Sequence, residues 1–189
     1  MTWLDVGLVM IAASLLGLER ACYVAVWRQP ARFRDAVTAW AGPAADPVDA
    51  LASLLVGFKA LQAAVFFAWC LYFGNWRLLT PDRPTLALVG GTLLVAAGQC
   101  LNAAVFVRLG PTGVFYGNRF GHDVSWRYGF PFSWFRHPQY VGTVATIWGV
   151  FIALRWPNPD WIVLPLIETA YYVAGAWLED DATPPPSNA

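Results

Sequence analysis

The chain has 189 residues, of which 58% are hydrophobic and 13% are charged. A composition this apolar, with so few charges, excludes an ordinary soluble domain of this size and predicts an integral membrane protein. Twelve Lys and Arg residues balance twelve Asp and Glu residues, so the net charge is zero and by itself says nothing about an acidic partner. For a membrane protein we expect no nucleic-acid partner.

Three long hydrophobic segments open the chain, at residues 3–27, 48–73 and 86–107. Each is long enough to cross a hydrocarbon layer of ~30 Å as a helix, which takes about 20 residues. All three cysteines fall in these segments, where cysteine usually acts as a small packing residue. We therefore expect neither a disulfide framework nor a metal site.

Two shorter hydrophobic segments follow, at residues 140–154 and 161–178. Between them lie two prolines in residues 155–160, which interrupt a helix because proline has no backbone N–H to donate. This pattern predicts a tight helical hairpin. The expected fold is all-α, a polytopic membrane helical bundle of about five segments in one domain over 1–189, with a disordered proline-rich tail at 182–189.

The arginines predict the orientation of the bundle. If the five segments alternate in direction, seven arginines fall on one side of the membrane: Arg28, Arg32, Arg34, Arg108, Arg119, Arg127 and Arg136. The other side has three: Arg77, Arg83 and Arg155. Because cytosolic loops carry an excess of Lys and Arg, the first side is predicted to be cytosolic, with the N-terminus outside.

Charged residues inside spans need a partner or a purpose, because each costs roughly 2.5–3.5 kcal/mol on insertion scales. Glu19 lies in the first segment near Arg20 and Tyr23, and Lys59 lies in the second. Glu19 and Lys59 are predicted either to neutralise each other between neighbouring helices or to take part in binding, and both readings stay open.

The last segment carries a polar stripe, formed by Glu168, Tyr172, Gly175 and Glu179. At 100° per residue these four positions fall within about 60° of arc on one helix face. The stripe runs toward the predicted cytosolic end. Carboxylates at a helix C-terminus oppose the macrodipole, so we expect a cationic group to lie against them.

Five sequence blocks occur in an order and spacing that resemble a known family: Gly98-Gln99, 109–113 with 116–121, Phe130-Pro131-Phe132, 137–142 and Glu179-Asp180. They resemble the small integral-membrane methyltransferases that use S-adenosylmethionine, most closely the phosphatidylethanolamine N-methyltransferases. The likeness covers about residues 96–180. The chain departs from the family pattern at Ala96, at Asn118-Arg119, at His137 and at Asp180.

The resemblance implies S-adenosyl-L-methionine as cofactor and a membrane lipid as substrate. It implies a cofactor pocket formed by Gly98, His137, Pro138, Tyr140, Gly142, Glu179 and Asp180. In such a pocket the acidic pair would bind the amino group of the cofactor, and Arg136 or His137 its carboxylate. The rings of Tyr140, Tyr172 and Trp177 are candidates for contact with the sulfonium.

On the acceptor side, the reaction requires a free amine and residues that bind the lipid phosphate. An ethanolamine nitrogen is mostly protonated near neutral pH and has no lone pair until it loses the proton. The candidate catalytic bases are His122, Asp123 and Glu19, with desolvation alone as the alternative. Arg119 and Arg127 are candidates for binding a lipid phosphate.

The favoured function is N-methylation of a phospholipid ethanolamine head group at the cytosolic face of a membrane. Three alternatives stay open on the sequence. The first is methylation of isoprenylcysteine or another small lipid on the same scaffold. The second is a sterol-type reductase that uses NADPH, because such enzymes share a similar turn at residues 137–142. The third is a non-catalytic membrane scaffold.

Overall fold

The computed structural model describes residues 3–79, 84–125 and 127–179 of the chain. The described residues form six α-helices: α1 Trp3–Arg28, α2 Pro30–Ala41, α3 Pro47–Phe73, α4 Thr85–Val114, α5 Pro138–Arg155 and α6 Val163–Glu179. Two short 3₁₀ helices, Gly117–Phe120 and Pro159–Ile162, follow α4 and α5. No strand occurs among these residues, which confirms the all-α prediction. Arg83, Asp180 and the predicted tail 182–189 lie outside the described residues.

Each of the five predicted segments is a helix, with ends close to those expected from the sequence. Asp46 caps α3, where its side chain accepts a hydrogen bond of 2.8 Å from the backbone N–H of Val48. Pro47 and Pro138 open α3 and α5 at a position where the missing N–H costs nothing. The third segment continues past its predicted end, through a break at Gly110 where φ is 65°.

Four stretches of the described chain are long and apolar enough to cross a membrane: Leu4–Arg28, Pro47–Phe73, Thr85–Phe120 and Pro159–Glu179. The remaining predicted segment, at residues 140–154, is α5, which has 18 residues and packs along α4 for most of its length. Successive long helices run in opposite directions. Trp27, Tyr116, Tyr140 and Glu179 therefore meet at one end of the bundle.

Helix α2 was not expected from the sequence. It has only 12 residues, and three of them are charged, so it is too short and too polar to suggest a span. Its narrow apolar face contacts the rest of the protein through Val37, which is buried, and Phe33, whose ring lies 5.8 Å from that of Phe120. The helix thus covers the same end of the bundle at which α1, α4 and α6 meet.

Glycines allow α4 and α5 to approach closely. A Cβ atom added at Gly91 would lie 2.5 Å from the carbonyl oxygen of Gly149, and one added at Gly98 would clash with the carbonyl oxygen of Gly142. Both contacts are with backbone, which cannot move aside as a side chain can. Small residues at such crossings are typical of membrane helix pairs, where packing replaces the hydrophobic effect.

We expect Gly98→Ala to destabilise the fold by about 1–3 kcal/mol, because the added methyl group overpacks the α4–α5 contact. Thermal unfolding in detergent measures the effect. Gly90→Ala is the matched control, since a Cβ atom at Gly90 meets nothing within 4 Å. Equal melting temperatures for the two variants would contradict this packing.

Candidate functional site

A cavity of about 1170 Å³ lies between the helices, at the end where α5 begins and α6 ends. Its walls come from α1, α3, α4, α5 and α6 and from the segment that joins α4 to α5. Drug-sized ligands occupy about 300–1,000 Å³ in typical pockets. The cavity is therefore large enough for more than one small ligand.

The start of α5 and the end of α6 are joined by one carboxylate. The hydroxyl of Tyr140 donates to Glu179 Oε1 at 2.6 Å, and the hydroxyl of Tyr116 donates to the same oxygen at 2.7 Å. All three residues line the cavity. Because both donors are neutral and a carboxylate offers about four acceptor positions, Glu179 can still receive a cationic group.

Tyr116 reaches Glu179 from an uncommon backbone conformation. Its φ of 58° places it in the left-handed region, which bulky side chains rarely adopt. Such conformations cost of order 1–3 kcal/mol and cluster at functional sites. The break at Gly110 and the 3₁₀ helix from Gly117 flank this residue and set its direction.

The turn before α5 supplies the next part of the wall. The His137 imidazole stacks on the Tyr140 ring with centroids 5.6 Å apart and planes 14° from parallel. Arg136, His137, Pro138 and Tyr140 all line the cavity. Pro138 fixes the first turn of the helix, so these side chains are presented together.

A guanidinium lies among three tyrosine rings deeper in the cavity. The Arg20 Cζ atom is 4.2 Å from the ring centre of Tyr172, 5.2 Å from that of Tyr140 and 5.3 Å from that of Tyr23. Each distance is within the range for cation–π attraction. We name Tyr23, Tyr140 and Tyr172 the tyrosine cluster.

Glu19 and Lys59 pair directly, as one of the two open readings of the sequence expected. Lys59 Nζ lies 2.9 Å from Glu19 Oε1 and also contacts the hydroxyl of Tyr172 at 3.0 Å. The Arg20 guanidinium contacts the same Glu19 oxygen at 2.6 Å. Glu19, Arg20 and Lys59 line the cavity, so pairing does not remove them from the candidate site.

The polar stripe of α6 faces the interior. Glu168, Tyr172 and Gly175 are buried, and Glu179 is half-buried. Gln62 links the stripe to the ion pair, since its amide donates to Glu168 Oε1 at 2.6 Å and its carbonyl accepts from Lys59. Tyr172 and Glu179 line the cavity, whereas Glu168 lies behind its wall.

Arg119 and Arg127, the candidate phosphate ligands, both line the cavity. Arg119 lies over the Trp27 indole, with its Cζ atom 3.7 Å from the ring centre. Together with Arg20, Lys59 and Arg136 they make five cationic side chains in the described wall, against two carboxylates, Glu19 and Glu179. The cavity therefore has an excess of positive charge.

Several residues expected at the site lie elsewhere. Gly98 and Gly142 hold α4 against α5 instead of forming the cavity wall. His122 and Asp123 are exposed outside the cavity, and His122 Nε2 lies 3.5 Å from Asp46 Oδ2. Trp177 is 78% exposed on the outer face of α6. The predicted cofactor ligand Asp180 falls outside the described residues.

The sequence did not assign Tyr116, Arg20 or Tyr23 to the site. Arg20 and Tyr23 lie beside Glu19 in a membrane span. The free-energy cost of placing polar groups there could have marked them as candidate site residues. Tyr116 gave a weaker signal, since only its place in the block 116–121 marked it. Its position depends on a left-handed backbone conformation, which the sequence does not reveal.

Comparison with known proteins extends these observations. A family model described as phospholipid methyltransferase matches residues 86–183, just over half of the chain. A phosphatidyl-N-methylethanolamine N-methyltransferase from Arabidopsis thaliana is 41% identical over 71 residues. That alignment covers 38% of this chain and 42% of the relative, less than half of either protein. No solved structure matches the chain significantly.

The matched region contains α4, α5 and α6, and with them Tyr116, Tyr140 and Glu179. Helices α1, α2 and α3 lie before it, although α1 and α3 contribute Glu19, Arg20 and Lys59 to the cavity wall. The family match extends over more than half of the residues of this chain. The chain therefore belongs to the phospholipid methyltransferase family.

Proposed function

We propose that this protein transfers a methyl group from S-adenosylmethionine to the ethanolamine nitrogen of a membrane phospholipid, namely phosphatidylethanolamine or its mono- or dimethyl forms. One observation carries the proposal. Glu179 joins Tyr116 and Tyr140 at the wall of a large, cationic cavity in a chain of the phospholipid methyltransferase family.

The residues at this wall fit the methyl donor. Glu179 would hold the amino group, and Arg136 and His137 would hold the carboxylate, as charge-assisted hydrogen bonds. The rings of Tyr140 and Tyr172 line the cavity, and tyrosine faces suit contact with a sulfonium. When bound, S-adenosylmethionine supplies an activated methyl group.

The chain contributes mainly positioning. Aligning donor carbon and acceptor nitrogen about 3–3.5 Å apart removes several kcal/mol of the barrier by itself. The cavity has room for a nucleoside and a lipid head group together. Tyr140 and Tyr172, whose rings pack edge to face 5.4 Å apart, would fix where the two ligands meet.

The acceptor is proposed to be a phospholipid because of the charge of the wall. Arg119 and Arg127 would bind its phosphate, and guanidinium groups suit phosphate because they offer paired donors in one plane. Such a wall favours a lipid that carries a phosphate group over one that has no anionic group. Family membership also favours methyl transfer to a phospholipid over the reductase and scaffold alternatives.

Loss of the ammonium proton is proposed to come from the surroundings more than from one base. Of the three candidate bases only Glu19 lines the cavity, and its carboxylate is already bonded to Arg20 and Lys59. An ammonium close to those two cations would meet like charge. The free amine, which has the lone pair needed for attack, is therefore favoured there.

We expect the rates of methyl transfer of His122→Gln and Asp123→Asn to stay within roughly twofold of the wild-type rate. Substitutions at exposed positions outside the cavity rarely have larger effects. Initial rates with purified protein in detergent measure this. A tenfold or greater loss in either variant would return that residue to the list of catalytic bases.

The cavity end of the bundle is proposed to face the cytosol, where the water-soluble donor is made available. Arg28, Arg32 and Arg34 lie at this end, between the end of α1 and the start of α3, and Arg119, Arg127 and Arg136 lie in the segment that leads into α5. This excess of arginine at one end supports the orientation.

The proposed function is tested by mass spectrometry of lipids from a host that makes no methylated phosphatidylethanolamine. Expression of the wild-type chain should produce mono-, di- or trimethylated head groups, and the empty vector should not. Glu179→Gln, made at equal membrane abundance, is the matched control and should produce little. Unchanged lipids in the wild-type strain would rule out the proposed acceptor.

A further inference from the structure

The reaction described above assigns Arg20 no direct contact with a ligand. Arg20 lies on α1, outside residues 86–183 that match the family. Its side chain is only 11% exposed, yet it lines the cavity. Keeping a guanidinium inside a membrane protein is expensive, so such residues usually serve binding or transport.

The neighbouring side chains hold Arg20 in place at the cavity wall. Glu19 bridges two cations, with Arg20 at 2.6 Å and Lys59 at 2.9 Å. Among the side chains that line the cavity here, one carboxylate lies between two cations. The next carboxylate, Glu168, lies behind the wall and accepts its hydrogen bond from Gln62. An anionic group that entered the cavity here would meet two cations in its wall.

Two hydrogen-bonding atoms beside this charge have no partner among the described residues. They are Arg20 Nε and the hydroxyl oxygen of Tyr23, and both are buried. Tyr23 as a whole is 5% exposed and lines the cavity. A buried polar atom without a partner destabilises the protein, so a ligand that forms hydrogen bonds to both atoms would bind more tightly.

The chemistry of the missing partner follows from these observations. The N–H of Arg20 is a donor, the hydroxyl of Tyr23 can donate, and the wall carries a positive charge. A cation would be repelled by this charge and could not accept from Arg20, and an apolar group would pair with neither atom. An oxygen anion satisfies all three.

We propose that Arg20 and Tyr23 form an oxyanion subsite inside the cavity, which takes the phosphate of the lipid acceptor or the carboxylate of the methyl donor. This inference rests on the proposed function, since it names a ligand contact of the same cavity. Glu19 and Lys59 act as positioning residues that hold the guanidinium beside Tyr172. The subsite thus extends substrate recognition to helices α1 and α3.

Equilibrium binding to the purified full-length protein in detergent tests the subsite without requiring turnover. Three probes are titrated by calorimetry. S-adenosylhomocysteine carries the carboxylate, methylthioadenosine is the same nucleoside thioether without the amino-acid part, and dihexanoyl phosphatidylethanolamine carries the phosphate. Arg20→Gln removes the charge, and Arg108→Gln makes the same change at an exposed position of α4 outside the cavity.

Arg20→Gln should weaken one or both anionic probes by about 10-fold or more, as expected for the loss of a charge-assisted hydrogen bond. Methylthioadenosine should bind within about twofold of wild type, and Arg108→Gln should change nothing. A loss for S-adenosylhomocysteine alone assigns the carboxylate to the subsite. A loss for the phospholipid alone assigns the phosphate.

The subsite is overturned if Arg20→Gln binds both anionic probes as the wild type does. An equal loss for methylthioadenosine also overturns it, because the cavity itself would then have changed. So does a wild-type protein that binds none of the three probes. A wild type that binds them but methylates no lipid contradicts the proposed function and leaves the subsite standing.

Discussion

Replacing Glu179 with glutamine should weaken binding of S-adenosylhomocysteine by about 10- to 100-fold, because one charge-assisted hydrogen bond to the ligand's amino group is lost. Glutamine keeps the size of the side chain and an oxygen that can still accept from Tyr116 and Tyr140. The helix ends therefore stay joined while the negative charge disappears. Calorimetry on the purified variant measures the change.

The matched control is Glu168→Gln, the same substitution on the same helix. Glu168 does not line the cavity, and a glutamine oxygen can still accept the hydrogen bond from Gln62. We expect this variant to bind S-adenosylhomocysteine within about twofold of wild type. Equal losses in the two variants would mean that the charge of Glu179 has no special part in donor binding.

The second large effect is expected at the opposite end of the bundle, where Asp160→Asn should destabilise the fold by about 3–5 kcal/mol. Arg155 is fully buried and binds Asp160 through two of its nitrogens, at 2.9 Å and 2.7 Å. Trp69 donates to the same carboxylate at 3.2 Å. Asparagine leaves the guanidinium buried without a counter-charge, and an unpaired buried charge strongly destabilises a fold.

Thermal unfolding in detergent measures this loss, with Asp35→Asn as the control. Asp35 is exposed on α2, where the same substitution should change stability by less than about 0.5 kcal/mol. Adding Arg155→Met to Asp160→Asn removes the unpaired charge and should restore part of the loss. A double variant less stable than Asp160→Asn alone would contradict an electrostatic origin.

The helices could be predicted well because their signal is local. Runs of apolar residues and the two prolines at 157 and 159 marked five segments, and each is a helix. Helix α2 was not predicted, because it has no such local signal. Its stability depends on contacts of Phe33 and Val37 with the bundle, and such contacts are not visible in a short polar sequence.

The candidate site was only partly predictable. The motif at 137–142 and the stripe of α6 indicated that Tyr140, Tyr172 and Glu179 come together, and these three side chains meet at the cavity. Sequence could not show that Gly98 and Gly142 face each other across a helix crossing. Nor could it show that the turn at Gly121, where φ is 93°, leaves His122 and Asp123 outside.

Methyl transfer by the purified protein tests the central claim most directly. The protein is incubated in detergent with phosphatidylethanolamine and a donor whose methyl group carries deuterium, and the lipids are analysed by mass spectrometry. We expect the label on the nitrogen of the head group, at a rate that falls sharply in Glu179→Gln. Unlabelled phosphatidylethanolamine after incubation with a wild type that binds S-adenosylhomocysteine would contradict the account.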